Sequence, residues 1–155
     1  MILQGLVLVF VLKETSSCSL SSLLKKQPLI TMAEHNELGK TGEQLAAEYL
    51  KTKGFEVLET NWRFKQYELD LIVKMPNRDT IVFVEVKTRQ TNYFGYPETF
   101  VTKAKQKLIA KAAAIYLDEN GLNDAPVRFD VVAVTITPQQ THIHHIDDAF
   151  FLYQQ

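Results

Sequence analysis

From residue 33 onward the chain switches repeatedly between two hydrophobic periods. Leu38, Leu45, Ala46, Tyr49 and Leu50 recur at helical spacing, which predicts an amphipathic helix over Asn36 to Lys53. Gly54 follows as a natural stop. Phe55 to Trp62 reads as a strand, and a short basic stretch, Arg63 to Lys65, leads into a second strand, Glu68 to Val73. Pro76-Asn77-Arg78-Asp79 has the chemistry of a turn. Ile81 to Thr88, dense in β-branched residues, is the clearest strand. Past a polar and aromatic loop, Gln90 to Pro97, a second helix is predicted over Thr102 to Glu119. Its expected buried stripe is Leu108, Ile109, Ala112, Ile115 and Tyr116, and Asn120-Gly121 ends it. Val127 to Ile136 and His142 to Ile146 add two strands, so the order is α-β-β-β-α-β-β. The passage from the third strand through the second helix to the fourth strand is a candidate right-handed crossover. An α/β fold is expected, with a mixed central β-sheet flanked by helices.

The first 31 residues follow neither period. Ile2 to Leu12 is an apolar run broken by Gln4 and Gly5, and a Ser-rich stretch comes after it. The run is too short to span a bilayer and lacks the basic start of a signal peptide. Thr15-Ser16-Ser17-Cys18 is a poor lipoprotein site, because Thr15 stands where an apolar residue is wanted. The simplest expectation is that Met32 is the true start. Residues 1–31 are then an extension, disordered or translated from a mis-called start codon, and residues 32–155 form a single domain.

Composition narrows the function classes. A chain of 155 residues, 46% hydrophobic and 23% charged, can bury one core unaided. Cys18 is the single cysteine, which excludes a disulfide framework and a cysteine-based zinc site and suits a reducing cytoplasm. No stable membrane association is expected. The net charge of −1 counts against a protein that coats nucleic acid through its overall field. It does not count against a nuclease, whose metal-binding carboxylates add negative charge. No glycine-rich phosphate loop is present to support a metabolic enzyme acting on a phosphorylated small molecule.

The candidate chemistry comes from strand periodicity. Residues two apart on a strand share a face. Glu68, Asp70 and Ile72 therefore share one face of the second strand, and Ile81, Phe83, Glu85 and Lys87 one face of the third. Two carboxylates and a lysine can converge where these strands meet, joined by the turn at Pro76 to Asp79. Charged residues at the end of so apolar a strand are costly unless something satisfies them. A divalent cation would, and magnesium or manganese suits such oxygen donors. Asp70 and Glu85 are the candidate metal ligands. Lys87 is the candidate for positioning the attacking water or neutralising charge on a phosphorane. Taken alone, Glu85-x-Lys87 more often marks a surface pair; Asp70 shifts that balance. Glu43 on the first helix is either a further ligand or an exposed helix residue, and spacing does not choose.

With these segments in place, the sequence resembles the YraN family, small bacterial proteins thought to be endonucleases. The matching segments are Leu38 to Ala46, Tyr67 to Ile72, Phe83 to Arg89, Phe94 to Pro97, Arg128 to Val132 and His145 to Phe150, in order along nearly all of Glu34 to Phe150. The resemblance implies a restriction-endonuclease-like core related to archaeal Holliday-junction resolvases. It implies that Glu43, Asp70, Glu85 and Lys87 occupy the catalytic positions of that core, and that the substrate is structured or branched DNA. By analogy with resolvases it also raises a homodimer. Gln66-Tyr67 departs from the glycines that many members carry before the Glu-Leu-Asp segment.

Lys103, Lys105, Lys107 and Lys111 carry no acidic residue among them, and positions 103, 107 and 111 form one helical stripe. With Arg63, Lys65 and Arg89 they are the candidate nucleic-acid contacts; a solvated helix face is the competing reading. Phe94, Tyr96 and Trp62 are expected to pack on the core rather than stack on bases. His142, His144 and His145 are expected on a partly exposed edge strand, with Asp147-Asp148 as charge partner rather than as a metal site. The expected activity is metal-dependent phosphodiester cleavage. The alternative is a non-catalytic nucleic-acid-binding module that keeps the nuclease fold.

Overall fold

The computed structural model describes residues 32–90 and 101–150, with side chains from residue 37 onward in the first helix. The expected extension over 1–31, with Cys18, and the aromatic loop with Phe94 and Tyr96 lie outside the described residues. The elements are α1 (Met32–Thr52), β1 (Glu56–Phe64), β2 (Tyr67–Lys74), β3 (Ile81–Arg89), α2 (Lys103–Glu119), β4 (Val127–Ile136) and β5 (Thr141–Ile146). This is the α-β-β-β-α-β-β order that the hydrophobic pattern implies.

The strands form a five-stranded sheet in the order β1-β2-β3-β4-β5. Neighbours are antiparallel except β3 and β4, which are parallel and therefore need the long crossover that α2 supplies. The basic stretch Arg63 to Lys65 is not a linker. Arg63 lies within β1, and Lys65-Gln66 is the two-residue turn of the β1–β2 hairpin. Lys65 takes φ 53°, the left-handed value that such a tight turn asks of one of its residues.

Alternation along the strands sends apolar side chains to both faces, and one helix covers each. Ala46, Ala47 and Leu50 of α1 pack on Leu71, Val73, Val82, Val84, Val86, Val132 and Val134. Ile109, Ala112, Ala113, Tyr116 and Leu117 of α2 pack on Ile72, Ile81, Phe83, Val131 and Ala133. Both faces of β3 are thus buried, which explains its unbroken apolar run. Leu108, expected in the buried stripe of α2, is instead 49% exposed, and Ile115 is half-buried. The helix turns its 109/112/113/116/117 side inward, so position 108 falls on the outer edge.

Two further features place the candidate site. Leu69 and Ile72 both join the α2-side core although three residues separate them, so strict alternation fails in β2 around Asp70. At α1, a Cβ on Gly42 would come within 2.9 Å of Thr88 Cβ. The missing side chain lets α1 lie against the end of β3 and brings Glu43 to the sheet.

Candidate metal centre

The β2–β3 ladder runs from Lys74↔Ile81 to Leu71↔Val84. Past that point β2 remains paired with β1 as far as Tyr67, and β3 with β4 as far as Arg89. The sheet therefore forks beyond Leu71. Extending the two registers sets Asn61, Asp70 and Glu85 in one row across β1, β2 and β3. Asp70 closes the fork with its side chain, its Oδ2 accepting the Val86 N–H at 2.8 Å.

Glu85 is 5% exposed, and both of its oxygens face lysines. Lys87 Nζ donates to Oε1 at 2.7 Å. Lys105 Nζ lies 3.3 Å from Oε2 and also 3.8 Å from Glu68 Oε1, so it bridges β2 and β3 across the fork. Lys105 reaches the site from the first turn of α2, where its backbone N–H donates to the N-cap side chain of Thr102 at 3.3 Å. On the α1 side, Asn61 Nδ2 donates to Glu43 Oε2 at 2.6 Å. Asn61 sits at φ 53° inside a strand, a conformation that asparagine tolerates better than most residues.

The Asp70 carboxyl is pushed up to about 7, first by burial, then by the negative charges of Glu85 and Glu43; the Val86 N–H and the Lys105 ammonium oppose the rise. Among the described residues no three His, Cys, Asp or Glu side chains form a ready ligand set as they lie. Asp70 and Glu85 nevertheless suit a hard divalent cation, which is held by one or two carboxylates together with water and phosphate oxygens. The burial and mutual repulsion that raise Asp70 are the conditions that a cation relieves. Glu43 enters this electrostatic group while its carboxylate is engaged by Asn61.

The expected nucleic-acid contacts divide into separate groups. Lys103, Lys107 and Lys111 are exposed along one side of α2, whereas Lys105 is turned into the carboxylate site. Arg63 Nη2 lies 3.4 Å from Glu68 Oε2, Lys65 Nζ stands 5.1 Å over the Phe64 ring, and Arg89 ends β3 on the surface. Trp62 packs edge-on to Tyr116 and stacked on Phe64, in keeping with a core role.

Sequence reasoning missed Asn61 and Asp130, and it grouped Lys105 with the surface phosphate contacts rather than with the carboxylates. Asn61 carried a signal, since asparagine is rare inside strands. Lys105 stood two residues off the 103/107/111 stripe. Asp130 interrupts an apolar strand as Glu85 does. It is fully buried, and it accepts bonds from Arg128 Nε at 2.8 Å, Arg128 Nη2 at 2.6 Å and the Asp148 N–H at 3.0 Å. His145 Nε2 lies 2.8 Å from Asp130 Oδ2, with the rings of Tyr49 and Phe55 edge-on to the imidazole. Burial raises the Asp130 carboxyl, but the bonds from His145, Arg128 and Asp148 outweigh it and hold the group below the ordinary range. The histidines do lie on an edge strand, but the charge partner of His145 is Asp130 and not the side chains of Asp147-Asp148. Strand pairing explains this, because Val132↔His145 sets the imidazole beside Asp130.

Comparison with known proteins gives one consistent result. Residues 42–134 match the family described as Uncharacterised protein family UPF0102. A UPF0102 protein of Christiangramia forsetii is 48% identical over 122 residues, covering 79% of this chain and 100% of the relative. One from Flavobacterium psychrophilum is 47% identical over 120 residues, covering 77% and 98%. One from Pelobacter propionicus is 41% identical over 120 residues, covering 77% and 86%.

Proposed function

The chain belongs to the uncharacterised protein family UPF0102, and from that premise we propose that it is a metal-dependent phosphodiesterase acting on nucleic acid. The observation that carries this reading is the meeting of Asp70, Glu85 and Lys87 at the fork of the sheet, with Glu85 buried and faced by two lysines. In a solvated surface pair the glutamate would not be 5% exposed, as Glu85 is. Asp70 and Glu85 would hold magnesium or manganese, with Glu43 near enough to sense Asp70. The cation would polarise the phosphoryl oxygen and lower the pKa of a bound water. Lys87 holds Glu85 in place and presents a positive charge where negative charge develops on phosphorus. Asp70 presents an oxygen at the opening between β2 and β3.

The proposed substrate is DNA of branched or otherwise structured form, in keeping with the resemblance to junction resolvases. Such enzymes commonly act as homodimers, and this chain is proposed to do so as well. The exposed lysines 103, 107 and 111, with Arg63, Lys65 and Arg89, would meet phosphates along the duplex. Among the described residues no helix is long and apolar enough to cross a membrane; a cytoplasmic site of action is proposed.

The test is cleavage of junction, flap and plain duplex DNA with magnesium or manganese. Wild type should cut, and Asp70→Ala and Glu85→Ala should not. Cleavage that persists in both variants would sink the assignment. DNA binding that survives in both variants while wild type never cuts would identify the non-catalytic module instead. Reversing Lys107 and Lys111 to glutamate should weaken DNA binding and flatten its salt dependence, by a log–log slope of about 1 for each phosphate no longer neutralised.

A further inference from the structure

A divalent cation on Glu85 would repel the two ammonium groups that already face that carboxylate, so its ligation favours the departure of one of them. Lys87 makes the shorter contact, at 2.7 Å, from two residues along the same strand. Lys105 makes the longer one, at 3.3 Å, from a different element, and shares itself with Glu68 at 3.8 Å. Glu68 is about half-exposed, so an ammonium leaving Glu85 keeps a carboxylate partner within reach. The other lysines of α2's first two turns, Lys103 and Lys107, are exposed, whereas the Lys105 side chain is 28% exposed. A half-buried ammonium held between two carboxylates does not behave as one more phosphate contact on a helix surface.

We propose that Lys105 is a member of the metal centre: it neutralises Glu85 while no cation is bound, yields Glu85 Oε2 to the cation, and then meets the scissile phosphate. The phosphate step rests on the nuclease reading; the exchange at Glu85 does not. In electrostatic terms the site is never left as a bare pair of buried carboxylates, since one positive charge replaces another. The freed ammonium remains on the first turn of α2, beside the place where a cation-bound phosphate gathers negative charge.

The test is Mn2+ titration by calorimetry on the full chain without DNA, using Lys105→Met, Lys105→Arg and Arg78→Met. Removing the competing charge in Lys105→Met should tighten Mn2+ binding about tenfold. The forked guanidinium of Lys105→Arg grips a carboxylate better than an ammonium does, so it should weaken Mn2+ binding severalfold. Arg78→Met, which removes a charge in the turn at the opposite end of the β2–β3 ladder, should leave Mn2+ affinity as in wild type. Unchanged affinity in both Lys105 variants would overturn the proposal, and so would weaker binding in Lys105→Met, the mark of a lysine that merely holds Glu85 in position. If Lys105→Met fails to fold, Lys105→Arg decides alone: weaker binding supports the exchange and unchanged affinity overturns it. In cleavage assays Lys105→Met should lower the single-turnover rate about 100-fold with little change in half-saturation. A change in half-saturation alone would overturn the phosphate contact. A wild-type protein that cuts no substrate overturns the nuclease reading and the phosphate contact, while the Mn2+ titration still decides the exchange.

Discussion

Asp70 and Asp130 are aspartates on the same sheet, two strands apart, and they are treated in opposite ways. Asp130 is fully buried and surrounded by donors: the Arg128 guanidinium, the His145 imidazole and the Asp148 N–H. Its carboxylate is held below the ordinary range. Asp70 has one backbone donor, Val86, and the carboxylates of Glu85 and Glu43 nearby; its carboxyl rises to about 7. A buried carboxylate matched by donors ties strands together. One left among like charges stores a cost that folding does not need, and such sites are where function is sought.

The widest separation between the two should be in catalysis. Asp70→Ala and Glu85→Ala are expected to lose at least about 1000-fold in cleavage rate, equivalent to about 4 kcal/mol. Asp130→Asn should keep the divalent-cation dependence of wild type, measured as rate against magnesium concentration. A loss in Asp130→Asn as large as in Asp70→Ala would erase the contrast.

Stability should separate them with opposite signs. Asp130→Ala strands the Arg128 guanidinium and is expected to cost about 3–5 kcal/mol in denaturant unfolding. Asp70→Asn should instead stabilise the cation-free protein at pH 8 by about 1–3 kcal/mol, because it removes a poorly matched buried charge. Equal destabilisation by both changes would show that Asp70 is as well satisfied as Asp130.

The pH dependence sharpens this. Between about pH 4 and 7 native Asp70 holds a proton that the unfolded chain has released, so its contribution to stability falls as pH rises through that window. The advantage of Asp70→Asn should therefore vanish near pH 4 and be complete above about pH 7. Asp130 runs the other way: its stabilisation is fully present above the ordinary aspartate value and is lost as pH falls through its lower folded value. Urea unfolding of wild type and both variants across pH 3–8 checks both signs.

The smallest effect concerns how Glu43 is delivered to Asp70. Gly42→Ala should cost about 1 kcal/mol net, because the clash with Thr88 exceeds the gain in helix propensity. Thr88→Ala in the same chain should recover most of it. A stabilised Gly42→Ala protein would mean that α1 need not lie so close to β3.

Much of this molecule was legible in the order of its residues. The periods of 3.6 and 2 marked both helices and the strands, because each helix and most strands bury apolar side chains at regular intervals. The run from Ile81 to Thr88 announced a central strand, and the charges that interrupt it pointed to Glu85 and Lys87. The periodic reading failed at two places for physical reasons. Around Asp70 the ladder to β3 ends and the strand turns, so Leu69 and Ile72 share a face. At Leu108 the inward side of α2 is chosen by packing against the sheet, which the helix's own pattern leaves open by one position.

The sequence by itself determined the elements, their order and the pairing of Asp70 with Glu85-x-Lys87, because these depend on local periodicity and one short hairpin. Only the tertiary structure decided which partners the charges take. Lys105 meets Glu85, Asn61 meets Glu43, and His145 meets Asp130 across distances in sequence that no local pattern spans. Hydrophobic burial is non-directional and can be read from spacing. An ion pair or hydrogen bond depends on a few tenths of an ångström between groups, and packing of the whole sheet and both helices sets that distance.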